Sequence, residues 1–145
     1  MEIRRWRYED NKQIEKIELG LFPDPWNYRM LTDSFLSDNF VGFVAEENGE
    51  IKGYVGATYC IDEGEIVLVA VKEECRRKGL ATSLLTTLET ELSSKGVTRL
   101  LLEVRRSNYG AQMCYVKFGF SVISIREGYY QGKEDALIME KKRYL

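Results

Sequence analysis

Glu65-Ile66-Val67-Leu68-Val69-Ala70-Val71 runs into Lys72-Glu73-Glu74-Cys75-Arg76-Arg77-Lys78-Gly79-Leu80-Ala81-Thr82, and the pair of segments decides the fold. The first is a continuous apolar run of the kind a strand covered on both faces requires. From Leu80 the period changes to 3.6: Leu84, Leu85, Leu88 and Leu92 share one side, and Gly96 stops the helix. Leu100 to Val104 is a second buried strand. Strand, helix and strand make a crossover unit whose two strands lie parallel with a right-handed connection.

Working outward toward the N-terminus, Phe40 to Glu46 and Ile51 to Cys60 are strand-like runs joined by Glu47-Asn48-Gly49-Glu50. Asn-Gly is the strongest short hairpin signal because both residues tolerate positive φ. A turn at Asp62-Glu63-Gly64 leads into Glu65 to Val71 as a third antiparallel strand. Before them, Ile3 to Trp6 reads as a short strand, and Asp10 caps a helix with Ile14, Ile17 and Leu21 on one face. Phe22-Pro23-Asp24-Pro25-Trp26 breaks that helix, since each proline disfavours helical geometry in the residue before it. Met30, Leu31 and Phe35 give a second helix over about Asn27 to Ser37. Beyond the crossover, a helix from about Asn108 to Lys117 precedes strands near Phe120 to Ile125 and Ala136 to Glu140. Hairpin, crossover unit and a final helix-strand-strand segment imply a mixed sheet with helices on both faces, an α/β (α+β) sandwich.

The 145 residues suffice for one domain with its own core, and no linker or repeat divides residues 1–145. Lys plus Arg number 21 against 23 Asp plus Glu, a net charge of −2 without a basic run, which argues against a phosphate-tracking nucleic-acid surface. Histidine is absent. That excludes Ser-His-Asp and Cys-His nucleophile pairs and imidazole metal sites, so acid-base chemistry falls to carboxylates, tyrosine, lysine, cysteine or water. Cys60, Cys75 and Cys114 form neither a disulfide framework nor a zinc-ligand spacing, which fits a reducing cytoplasm. Met1 to Trp6 lacks the apolar stretch of a signal peptide, and no segment reaches the roughly 20 apolar residues of a membrane span. The expectation is a soluble cytoplasmic protein with no membrane or nucleic-acid partner and no metal.

The turn before Leu80 is basic, contains glycine and opens a helix, so free backbone N–H groups, the positive helix end and cationic side chains converge on one spot. Gly79 removes the Cβ that would hold a pyrophosphate off the backbone, and Ala81 is nearly as small. Neither a Walker GxxxxGK[ST] nor a GxGxxG pattern occurs. Taken alone, the turn reads equally well as a solvated loop.

The surrounding residues change that balance. Arg76-x-x-Gly79-x-Ala81 between strand and helix resembles the acetyl-CoA motif of the GNAT N-acetyltransferases. Leu101-Leu102-Glu103-Val104-Arg105-Arg106-Ser107-Asn108, Ala111, Tyr115, Gly119 and Phe120 follow in order, then Arg126, Tyr129-Tyr130 and Glu134 to Met139. Together they look like the RimI-type branch, which acetylates protein N-terminal amines. The likeness covers about residues 60–142. In the first third only Phe22 to Trp26 is similar to the branch's Phe-Pro-Trp, and the segment here is longer.

The resemblance implies a mixed, mostly antiparallel sheet of about seven strands around a central acetyl-CoA unit. It implies that backbone amides from Arg77 through Lys78, Gly79, Leu80 and Ala81 to Thr82 wrap the CoA pyrophosphate beside Arg76. Val69, Ala70 and Val71 would pair with the pantetheine arm like an added strand, and Asn108 would touch the cofactor. The acceptor typical of this branch is the N-terminal alanine of a small-subunit ribosomal protein, and the enzyme is expected as a monomer or weak dimer.

Strand alternation puts Glu103 with Leu101 and Arg105, opposite Leu100, Leu102 and Val104. Glu103 is either a strand carboxylate paired with an arginine or a general base, since burial in an apolar strand moves a carboxylate toward a base's working range. Tyr115, seven residues after Asn108 on the same helix side, is either a core aromatic beside Ala111 and Phe118 or a proton donor to the departing CoA thiolate. The resemblance assigns the base and acid roles, with direct transfer that leaves Cys114 to packing. Phe22, Trp26, Tyr129 and Tyr130 are candidate walls for a peptide, and Glu134 and Asp135 candidates to attract its cationic end; all six serve equally as loop anchors. The competing functions are acetylation of a lysine side chain or small-molecule amine, and a non-catalytic CoA-binding module.

Overall fold

The structure, a computed structural model, describes residues 1–130 and 132–143. Its elements in chain order are β1 (Glu2–Arg5), α1 (Asn11–Leu21), α2 (Tyr28–Phe35), β2 (Phe40–Glu47), β3 (Glu50–Cys60) and β4 (Glu63–Val71). Then come α3 (Leu80–Ser94), β5 (Arg99–Arg105), α4 (Tyr109–Phe118), β6 (Ser121–Tyr130) and β7 (Glu134–Lys142). Among the described residues seven strands form one sheet in the order β1-β2-β3-β4-β5-β7-β6. Among the described residues only β4 and β5 pair in parallel, joined through α3 as the crossover reading requires. Among the described residues no helix is long and apolar enough to cross a membrane.

Alternation along the strands supplies two cores. Val44, Tyr54, Leu68 and Ala70 face α1 and α2, where Ile14, Ile17 and Leu31 meet them. Phe43, Val55, Leu102 and Val104 face the other way, onto Leu84, Leu85, Leu88 and Leu92 of α3 and Tyr115 of α4. Helices therefore cover both faces, and the leucine stripe of α3 is at most 1% exposed. The β2–β3 hairpin turns at Asn48 (φ 53°) and Gly49 (φ 80°), as the Asn-Gly pair requires.

Three local expectations are corrected. The turn before β4 lies at Ile61 and Asp62, with Ile61 at φ 57°, and Glu63 and Gly64 already belong to the strand. Gly64 serves close packing there, because a Cβ would come within 3.1 Å of Leu100 and 3.3 Å of Val97. Asp10 does not cap α1 with its side chain. Its carboxylate is taken by Arg4, through two bonds of 2.9 Å, and by the Arg7 amide at 2.7 Å. Finally, β4 is not covered on both faces throughout, since Val67 and Val69 are only half-buried.

That last departure makes the site. Gly56 pairs with Leu68 and Ala57 with Ile66, so Val67 bulges out of the β3–β4 ladder. A bulge bends its strand and increases the local twist. The parallel ladder between β4 and β5 ends at the same place, at Ile66 and Leu102. β5 continues beside β7 as far as Arg105 and Ala136, while β4 continues beside β3 to Gly53 and Val71. The two strands part like the arms of a V.

Candidate active site

A cavity of about 830 Å³ fills the opening. One wall is β4 from Ile66 to Val71, the other is β5 from Leu102 to Arg105, and the floor is α4 through Ala111, Cys114 and Tyr115. Arg76, Arg77 and Gly79 to Thr82 close one end; Leu21, Phe22, Asp24, Trp26 and Tyr130 stand at the other. Of the residues singled out in the sequence, Val69, Ala70, Val71, Arg76, Arg77, Gly79, Leu80, Ala81, Thr82, Glu103, Asn108, Tyr115, Phe22, Trp26 and Tyr130 all border this one space. Lys78, Tyr129, Glu134 and Asp135 do not.

The basic turn has the form an anion needs. Arg77 (φ 64°) and Gly79 (φ 77°) both adopt left-handed geometry, which turns the chain sharply into α3. Gly79 occupies the N-cap with no side chain capping the helix. The first intrahelical bond is donated by Ser83 to the Gly79 carbonyl at 3.0 Å, which leaves the amides of Leu80, Ala81 and Thr82 without a helical acceptor. A Cβ built on Gly79 meets nothing within 4 Å, so the space in front of those amides is open. Arg76 braces the approach by donating Nε to the Val71 carbonyl at 3.1 Å. A pyrophosphate fits this turn: free donors, a positive helix end and no side chain in the way.

Glu103 sits on the half-open face of β5, with Leu101 and Arg105 beside it and Leu100, Leu102 and Val104 buried behind, in the predicted alternation. Its side chain is 23% exposed and pairs with Arg126 at 3.4 Å. Arg126 is 60% exposed, and so long and wet a pair contributes about 0–1 kcal/mol. The arginine partner foreseen as the bland alternative is thus present but does not lock the carboxylate away. The Tyr129 hydroxyl interacts with the same carboxylate, which pushes the Tyr129 phenol up.

Tyr115 lies deeper, 8% exposed, with its ring edge-on to Phe120 at 6.1 Å. Burial, then the neighbouring Cys114 and Tyr130, push its phenol up, so it carries its proton throughout the neutral range. Cys114 beside it is half-buried, and burial pushes its thiol up despite Lys117, which disfavours the nucleophilic thiolate. Asn108 caps α4 by accepting from the Ala111 amide at 3.2 Å.

Glu134 and Asp135 are spoken for elsewhere. Glu134 accepts from Arg105 at 2.9 Å and from the Ser107 amide at 2.9 Å, while Asp135 pairs with Arg106 at 3.1 Å and accepts from the Gly128 amide at 3.0 Å. Among the cavity residues that the sequence did not single out as candidates, Glu18 and Arg105 carry charge into the lining. Glu18 is 3% exposed, accepts from the Trp26 amide at 3.1 Å and hydrogen-bonds the Tyr54 hydroxyl. Burial pushes its carboxyl up against those two bonds. Its signal was legible, because Glu18 falls between Ile14 and Leu21 on the apolar stripe of α1. Arg105, the second, is met by Asp24 at 2.7 Å as well as by Glu134.

Comparison with known proteins agrees with this architecture. The sequence pattern of the Acetyltransferase (GNAT) family matches residues 5–120. The ribosomal protein bS18-alanine N-acetyltransferase of Escherichia coli K12 is 34% identical over 118 residues, 79% of each chain. An N-alpha-acetyltransferase of Saccharolobus solfataricus is 30% identical over 152 aligned positions, covering 96% of this chain and 91% of its own. The crystal structure of the Escherichia coli ribosomal-protein-S18-alanine N-acetyltransferase superimposes with a TM-score of 0.90 at 30% identity, covering 99% of this chain and 94% of that one. An aminoglycoside 6'-N-acetyltransferase crystallised with coenzyme A shares the fold alone, at 16% identity and a TM-score of 0.83 over 98% of this chain and 97% of its own. The chain belongs to the GNAT family of acetyltransferases.

Proposed function

We propose that this N-acetyltransferase transfers acetyl from acetyl-CoA to the α-amine of a protein N-terminus, with the N-terminal alanine of a small-subunit ribosomal protein as acceptor. The observation that carries the reading is the single cavity, bordered by free amides of α3 at one end and by Glu103 and Tyr115 along its walls. The relatives from Escherichia coli and Saccharolobus solfataricus, named for alanine and α-amine acetylation, support the choice of acceptor. A ribosomal acceptor puts the reaction in the cytoplasm.

Arg76, Arg77 and the amides from Lys78 through Gly79, Leu80 and Ala81 to Thr82 hold the pyrophosphate, with Asn108 alongside. Val69, Ala70 and Val71, on the arm of β4 that β5 no longer pairs, offer backbone groups to the pantetheine. Acetyl-CoA supplies an activated thioester carbonyl. An α-ammonium with a pKa of about 8 is mostly protonated at neutral pH, so its proton must leave before nitrogen can attack. Glu103, directly or through a water, accepts that proton. A backbone N–H on the free arm of β4 stabilises developing negative charge on the carbonyl oxygen. Tyr115, held protonated by burial, returns a proton to the departing sulfur. Phe22, Trp26 and Tyr130 flank the acceptor, and Tyr129 stands outside the cavity lining with its hydroxyl toward the Glu103 carboxylate.

The test is incubation of the pure protein and acetyl-CoA with peptides beginning in alanine, serine or methionine, each also carrying an internal lysine, followed by localisation of the acetyl group by mass spectrometry. Acetyl on the α-amine of the alanine peptide is expected. Acetyl on the lysine, or on a small amine in preference to every peptide, would overturn the acceptor assignment.

A further inference from the structure

We propose that Arg105 is a positioning residue: its guanidinium clasps the Phe22–Asn27 loop to the β6–β7 hairpin across the acceptor end of the cavity, and thereby sets acceptor affinity. The inference rests on the reading above that this end of the cavity takes the amine. Arg105 is the last residue of β5, and its side chain is 21% exposed. One terminal nitrogen donates to Asp24 at 2.7 Å on the α1–α2 loop, and the other donates to Glu134 at 2.9 Å on β7. The guanidinium carbon lies 4.1 Å above the ring centre of Tyr130 at the end of β6. A single planar group thus holds three chain segments, using its two prongs and its face at once.

Asp24, Tyr130 and Arg105 border the cavity, as do Phe22 and Trp26 on the same loop. The clasp therefore fixes the separation of two opposing walls. Each wall has its own inner anchor: Glu18 accepts from the Trp26 amide at 3.1 Å, and Glu134 accepts from the Ser107 amide at 2.9 Å. Neither inner anchor spans the gap, whereas Arg105 does. The pyrophosphate end is built from other elements, the end of β4 and the start of α3, and the Arg105 guanidinium contacts given above, to Asp24, Glu134 and Tyr130, all lie at the opposite end. Walls already fixed before the acceptor arrives spare it the cost of ordering them, a saving that corresponds to roughly tenfold in acceptor affinity for one or two immobilised side chains. A lysine at this position keeps the charge but cannot fork to two carboxylates while stacking on a ring.

The test uses the full chain with Arg105→Lys, Arg105→Gln and Asp24→Asn. KM is measured for the acceptor peptide and for acetyl-CoA separately, and amide hydrogen exchange is followed without substrates. In both Arg105 variants the acceptor KM should rise about tenfold, with acetyl-CoA KM changing less than twofold and kcat changing less than the acceptor KM does. Residues 22–27 should exchange faster together with residues 128–130 and 132–134, with β2 to β4 unchanged. Asp24→Asn should loosen the first segment and raise the acceptor KM in the same direction. An unmoved acceptor KM, loosening of one segment only in the Arg105 variants, or parallel rises in both KM values would overturn the proposal. If the wild type acetylates a lysine or small amine instead, the function proposed above fails, and the same KM split measured with that amine still judges the clasp.

Discussion

Tyr115→Phe removes one oxygen from the middle of the proposed machinery, and the structure sets the size of each consequence. The ring is 8% exposed and stays edge-on to Phe120, so the packing survives. The influences on its hydroxyl are burial and the nearby Cys114 and Tyr130, with no hydrogen-bond partner among the described residues. Deleting it therefore breaks no internal bond, and folding stability should move by less than about 1 kcal/mol, roughly 3 °C in Tm for a domain of this size. The effect on turnover is larger. General acid catalysis contributes about 10² to 10⁴ in rate, and a thiolate with a pKa near 8.5 leaves with modest help, which selects the low end. We expect kcat to fall about 100-fold, equivalent to about 2.7 kcal/mol of barrier, while acetyl-CoA affinity measured by calorimetry stays within twofold. The assay is initial-rate acetylation of an alanine peptide at saturating concentrations of both substrates. A variant that kept a third or more of the wild-type kcat with normal cofactor affinity would return Tyr115 to a purely core role.

Three further outcomes follow from the same geometry. Glu103→Gln keeps the shape and loses the proton acceptor, so kcat should fall by about 10² or more with acetyl-CoA binding spared; equal turnover at neutral pH would remove Glu103 from the base role. Gly79→Ala adds a methyl that meets no protein atom within 4 Å but forces a left-handed φ of 77°. The strain should cost about 1–2 kcal/mol of stability, whereas CoA affinity should drop more than tenfold, and calorimetry showing an unchanged Kd would refute the anion site. Burial alone would raise the Asp10 carboxyl, but Arg4 and the Arg7 amide outweigh it and hold it below its ordinary value. Its contribution to stability is thus present above the unfolded pKa of about 3.9 and lost as pH falls through the lower folded value. In denaturant titrations Asp10→Asn should be less stable than wild type at pH 7 and approach it below pH 4; a gap that widens in acid would contradict the pairing.

The crossover unit was legible because one apolar period gives way to another within a few residues, and the Asn48-Gly49 turn because its backbone demands leave few alternatives. Gly64 shows what a single residue conceals. Its glycine reads as a turn, yet the cause is the approach of Leu100 and Val97, which no local pattern encodes. Asp10 is similar: a good helix cap by sequence, it is drawn off by Arg4 on a neighbouring strand. In the site, Glu103 and Tyr115 were found by alternation and resemblance, and the parting of β4 from β5 brings both to one cavity. The bulge at Val67 that opens it lies inside an unbroken apolar run and leaves no mark there. Arg105 and Asp24 stand 81 residues apart, so their pairing belongs to the tertiary fold. Glu18 could have been singled out from its position on a buried helix stripe.

The most direct test of the cofactor site is an amide-resolved NMR titration of the free protein with coenzyme A. Phosphate oxygens accepting from the start of α3 should shift the resonances of Gly79, Leu80, Ala81 and Thr82 strongly downfield and in step with one another, with those of Val69 to Val71 following. Saturable binding that leaves these amides unmoved and perturbs a different surface would contradict the account.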